Sequence, residues 1–109
     1  LCGEDGLAAE AMCNGLVSGV ISVTANLAPD IMHDMATAGL AGEHNRCHAL
    51  NDRLAPLHEA MFYECNPLPV KWALHRLGKI GPGIRLPLVP LAPEVQARVE
   101  AALRQAQLL

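Results

Sequence analysis

The sequence predicts an α/β chain in which one buried strand precedes a mostly helical remainder. Three observations carry that prediction. The run Leu16-Val17-Ser18-Gly19-Val20-Ile21-Ser22-Val23 is short, β-branched and apolar on both faces, the pattern of a strand covered on both sides of a parallel sheet. Everything after it follows helical spacing. The chain has 109 residues, and a closed (β/α)8 barrel needs about 200 at the least. A lone buried strand leaves both edges without partners. Two architectures therefore remain: a small helical protein with an unusual strand, or the tail of a barrel enzyme.

The elements follow in order. Residues 4–14 read as a short helix with Leu7, Ala8, Ala11 and Met12 on one face and Gly15 as its stop. The strand spans 16–24. Thr24 and Asn26 are placed to cap a new helical region, and Pro29 suits its first turn. Ile31, Met32, Met35 and Ala36 then form an apolar face up to Gly39. A long helix runs from about Gly42 to Tyr63, with Cys47, Leu50, Leu54, Leu57 and Met61 as its buried stripe and Pro56 as an expected kink. Asn66-Pro67-Leu68-Pro69 interrupts it, and Val70, Ala73, Leu74 and Leu77 carry the next helix to Gly78. Residues 84–91 are proline-rich and extended. The last helix begins near Pro93 and buries Val95, Val99, Ala102, Leu103 and Ala106, with Glu94–Arg98 and Glu100–Arg104 as outer i, i+4 pairs.

Composition excludes several functions. Half of the residues are hydrophobic and 17% are charged, too apolar for a disordered chain. The net charge is −3 and no basic run occurs, so the phosphate-neutralising cluster of a nucleic-acid groove is absent. The longest uncharged stretch, 11–29, holds too many polar residues and glycines to span a membrane. Cys2, Cys13, Cys47 and Cys65 are widely spaced without a C-x-x-C pair, which reads as reduced thiols in a cytoplasmic protein.

Few motifs suggest chemistry. His44, Cys47 and His48 lie at i, i+3 and i+4 on the long helix, and His58 is about 15 Å further along, out of reach as a fourth ligand. We read a buried Cys47 between two solvated histidines, and no metal site. Lys71 and Lys79 are the only lysines, and Lys71 beside Trp72 reads as a snorkelling helix lysine, not a Schiff-base one. No G-x-S-x-G elbow is present, and Gly81-Pro82-Gly83 is no phosphate loop. Parallel α/β proteins gather their chemistry at the C-terminal ends of strands. Here that means Ile21 to Thr24, and Gly3 if Leu1-Cys2 closes an earlier strand.

Four segments, in register, resemble the dihydrodipicolinate synthase family: Gly3-Glu4-Asp5, Gly19-Val20-Ile21-Ser22-Val23-Thr24-Ala25-Asn26, Asn66-Pro67-Leu68-Pro69-Val70-Lys71 and Arg85-Leu86-Pro87-Leu88. The resemblance implies the C-terminal part of a TIM (β/α)8 barrel: residues 1–26 as the barrel's end with its final strand, and 27–109 as a C-terminal helical region. It implies a class I aldolase-type lyase of lysine (diaminopimelate) biosynthesis, in which a barrel lysine forms a Schiff base with pyruvate and the enamine attacks aspartate semialdehyde. The Schiff-base lysine, the proton relay and the carboxylate-binding arginine match no position of this chain. The expected partners are pyruvate, aspartate semialdehyde, the N-terminal barrel portion and further subunits of a homotetramer, with no nucleic acid, membrane or added cofactor. By the same resemblance Gly3 and Ile21 line the pyruvate pocket, Ile21 through its carbonyl and an apolar wall. The alternatives are another pyruvate aldolase, such as an N-acetylneuraminate lyase-like enzyme, and a non-catalytic helical oligomerisation module.

Overall fold

A computed structural model describes all of residues 1–109. Five α-helices carry the fold: α1 (Asp5–Cys13), α2 (Pro29–Leu40), α3 (His44–Ala60), α4 (Leu68–Arg76) and α5 (Pro93–Gln105), with a 3-10 turn over Thr24–Asn26. α3 is the centre. α1 and α2 pack against its first half and against each other, and α5 packs along it and against α4.

Helix boundaries follow local chemistry. Proline occupies the first turns of α2, α4 and α5, where its missing N–H leaves no bond unmade. Gly78, at φ 74°, closes the α4 end, a left-handed conformation glycine adopts without strain. Pro56 lies inside the continuous α3.

A single cluster of buried residues joins all the helices. Cys47, Leu54, Leu57 and Met61 are fully buried along α3, Met32 and Met35 face it from α2, and Val99, Leu103 and Ala106 from α5. α2 and α1 come close at Gly39, where an added Cβ would stand 3.1 Å from Cys47 Sγ and 3.2 Å from Met12 Cβ. Glycine is needed there for helix approach rather than for conformation.

Several expectations require correction. The apolar face of α1 is Asp5, Ala8, Ala9 and Met12, and Leu7 is exposed. Ile31 and Leu50 are only partly buried. Glu100 pairs with Arg104 at 2.7 Å and with Arg76 of α4 at 3.0 Å, and the two guanidiniums, Arg76 foremost, hold its carboxyl below the usual range. The Glu94–Arg98 pair does not form. Arg98 instead lies 3.8 Å above the Tyr63 ring, a contact worth about 0.5–1 kcal/mol at an exposed site.

The largest correction concerns the strand. Residues 16–24 form no continuous strand. One parallel bridge joins Val20 to Cys2, with Leu16 and Ile21 exposed on either side of it. The reason is a shortage of partners. Only residues 1–3 lie beside this run, and no other segment of the chain supplies a second edge. Beyond Ile21 the backbone turns away, because side-chain bonds capture its amides.

Candidate functional site

The bridge fixes where Gly3 and Ile21 sit. Cys2 N–H donates to the Gly19 carbonyl at 2.9 Å, and Ile21 N–H donates to the Cys2 carbonyl at 2.8 Å. A parallel bridge centred on Cys2 and Val20 sets Gly3 beside Ile21 at the C-terminal ends of two adjacent extended segments. Ile21 is 68% exposed, and its carbonyl oxygen accepts no hydrogen bond within the chain. An added Cβ at Gly3 would meet nothing within 4 Å. The two residues therefore present an open backbone edge with a free acceptor.

A buried polar network stands directly behind that edge. Asp5, in the first turn of α1, is 4% exposed. Its carboxylate accepts bonds from the Ser22 hydroxyl, from Val23 N–H at 2.9 Å and from Thr24 N–H at 3.0 Å. Ser22 Oγ in turn accepts from Ala25 N–H at 2.9 Å. These bonds turn the chain into the 3-10 turn straight after Ile21.

The network continues into α3. Thr24, fully buried, places its Oγ1 2.7 Å from His58 Nδ1. His58 Nε2 lies 3.2 Å from Asn51 Oδ1, which can only accept, so Nε2 carries the proton and Nδ1 accepts from the Thr24 hydroxyl. Burial lowers the His58 pKa, against a smaller opposing pull from the Asp5 charge. A neutral ring fits both bonds, and no buried side-chain polar atom of the chain lacks a partner. His58 borders a cleft of about 370 Å³ shared with Asn51, Ala55, Glu59 and Phe62.

Sequence reasoning alone does not assemble this network. Ser22 and Thr24 read as strand-end and capping residues, and His58 only as a histidine out of metal reach. The available signal is the position of His58 on the α3 stripe, four residues after Leu54 and three before Met61. A polar ring there must be buried and therefore partnered.

The other candidates fall apart. Cys47 is buried, while His44 and His48 are exposed, so the three do not converge. Burial pushes the Cys47 thiol up to about 11, and the neighbouring Cys13 adds to the shift. The thiolate that a metal requires is thus disfavoured. Lys71 sits partly exposed on α4 and Lys79 is exposed beyond its end.

With the geometry in place, similarity to known proteins decides the family. The model of the dihydrodipicolinate synthetase family matches residues 1–106. The chain belongs to the dihydrodipicolinate synthetase family. The 4-hydroxy-tetrahydrodipicolinate synthase of Dichelobacter nodosus is 54% identical over 101 residues, which are 93% of this chain and 34% of that protein. The crystal structure of the chloride-inhibited dihydrodipicolinate synthase of Acinetobacter baumannii, complexed with pyruvate, matches with a TM-score of 0.94 at 44% identity, covering 98% of this chain and 36% of that one. A monomeric dihydrodipicolinate synthase variant matches with a TM-score of 0.92 at 36% identity, over 98% of this chain and 35% of that one.

The chain thus spans about a third of the length of these relatives. It folds as the C-terminal portion of a TIM-barrel enzyme of the dihydrodipicolinate synthetase family: the final βα unit followed by helices. That assignment explains the strand which has only one partner. No helix is long and apolar enough to cross a membrane.

Proposed function

We propose that this chain is the C-terminal segment of a pyruvate-dependent class I aldolase-type lyase, which condenses pyruvate with aspartate semialdehyde in lysine (diaminopimelate) biosynthesis. One observation carries the reading: in a chain of this family, Gly3 and Ile21 stand side by side with the Ile21 carbonyl free. In the complete enzyme these residues line the pyruvate pocket. Ile21 offers a fixed acceptor and an apolar wall that keeps water from the imine, and Gly3 leaves room for the substrate.

The segment contributes no catalytic side chain. The Schiff-base lysine belongs to another part of the barrel, so this segment alone is inactive and needs no added cofactor. Residues 1–26 close the barrel, and 27–109 form the helical region that supports it. Asp5 is a positioning residue: it holds Ser22, Val23 and Thr24, and so sets the direction of the Ile21 carbonyl. We place the enzyme in the cytoplasm as a homotetramer, a dimer of dimers.

The test uses the complete enzyme. Borohydride reduction with pyruvate present should leave one covalent pyruvate-derived adduct per chain, on a lysine other than Lys71 and Lys79. No adduct, or an adduct on either of those two, refutes the reading. Gly3→Ala tests the pocket, because the added methyl meets nothing in this segment but would crowd pyruvate. The pyruvate KM should rise about tenfold, while Gly6→Ala, equally free of contacts, leaves it unchanged. An unchanged KM in Gly3→Ala removes Gly3 from the pocket.

A further inference from the structure

A second cleft, of about 340 Å³, lies between α4, the turn at 81–84 and the start of α5. Its walls are built rather than incidental. His75 Nδ1–H donates to the Ile80 carbonyl at 3.2 Å and anchors the turn, and Gln96 Nε2 donates to the Leu91 carbonyl at 2.8 Å. Glu64 accepts from Ala92 N–H at 3.1 Å and ties down the segment before α5.

We propose that this cleft binds a small carboxylate with an apolar body, held by Lys71 and packed against Trp72. Leu68, Ile84 and Leu91 supply apolar wall. No acidic residue lines the cleft, and Lys71 forms no ion pair, since all the ion pairs of the chain lie on Arg46, Arg76 and Arg104. Gln96 and His75 already spend a donor on the backbone. The unspent cation in an apolar recess therefore selects the ligand: one negative oxygen group for Lys71, and a flat or branched hydrocarbon for the rest. Sites for small molecules combine apolar walls with a few placed polar groups in just this way, and the volume is at the lower end of their range, which suits a single ring.

Trp72 is the only tryptophan of the chain, so its fluorescence reads this cleft alone when the complete protein carries no other, or when others are replaced. Benzoate should change the Trp72 emission saturably, and neutral benzamide should bind about tenfold more weakly, the loss of one charge-assisted hydrogen bond. Lys71→Met should remove that preference, Lys71→Arg should keep it, and Lys79→Met, outside the cleft, should leave the titration unchanged. Calorimetry on the same proteins supplies a readout independent of fluorescence. Absence of saturable benzoate binding overturns the proposal, as does equal affinity for benzamide, or a loss in Lys79→Met equal to that in Lys71→Met.

Discussion

Replacing Asp5 should cost more stability than any other single polar change in this chain. The carboxylate is 4% exposed and accepts three hydrogen bonds. Bonds to a charged acceptor contribute about 1.5–3 kcal/mol each, and a buried donor left unpaired costs about 1–3 kcal/mol. The three donors are not equal. Thr24 N–H is buried and has no alternative acceptor. Val23 is half-buried, so water reaches part of the loss, and the Ser22 hydroxyl can rotate. Counting the Thr24 amide near the top of its range and the other two near 1 kcal/mol gives about 3–5 kcal/mol for Asp5→Ala. Asp5→Asn keeps one acceptor oxygen but turns an N–H toward a donor, and should lose about 2–3 kcal/mol. Glu4→Ala, on the exposed neighbour, should stay within about 0.5 kcal/mol. Urea unfolding followed by circular dichroism measures all three, with an unchanged m-value required for the comparison. Amide exchange at Thr24 should accelerate in both Asp5 variants. A loss below about 1 kcal/mol in Asp5→Ala, with Thr24 exchange unaltered, would refute the view that Asp5 holds the turn after Ile21.

Two further outcomes test the packing behind the site. Burial holds His58 below its usual pKa of 6.5, so the unfolded chain takes up this proton first as pH falls. Stability should be flat with respect to His58 above pH 6.5, decline as pH drops below it, and level off once the folded state also protonates. The slope from this group is at most about 1.4 kcal/mol per pH unit, and His58→Gln should remove it; equal slopes in the two proteins would show that His58 is not the group responsible. Gly39→Ala should destabilise by about 1–2 kcal/mol, overpacking of about 1–3 kcal/mol outweighing the helix gain of about 1 kcal/mol. Combining it with Cys47→Ala, which vacates the space 3.1 Å from the new methyl, should recover at least about 0.5 kcal/mol relative to additivity, and strictly additive losses in chemical denaturation would disprove the contact.

What the sequence makes legible here follows from how each residue gets its environment. The stripe of α3 is readable because Cys47, Leu54, Leu57 and Met61 repeat at helical spacing and bury against elements of the same chain. α1 is readable in extent but not in facing. Its alanines carry little weight in a periodicity, so the pattern points to Leu7 as buried although Asp5 and Ala9 occupy that side. The strand misleads for a different reason. An apolar run records what the residues need around them, whereas a ladder exists only where a second backbone lies alongside. Here only residues 1–3 do, and they leave a single bridge.

The polar network is hidden in the sequence because its meaning is pairwise. Asp5, Ser22, Thr24, Asn51 and His58 are each ordinary alone, and tertiary packing brings them together from α1, the 3-10 turn and α3. Yet one member is out of place by itself. His58 interrupts an otherwise apolar stripe, and a buried imidazole without hydrogen bonds would cost about 1–3 kcal/mol. Such an interruption implies partners from the spacing alone. Following the bonds outward from His58 leads through Thr24 to Asp5, and from Asp5 to the turn that sets the Ile21 carbonyl. The buried histidine and the open acceptor at the bridge are thus two ends of one hydrogen-bonded construction. A change at either α3 or α1 should be felt at the proposed pyruvate edge without touching it.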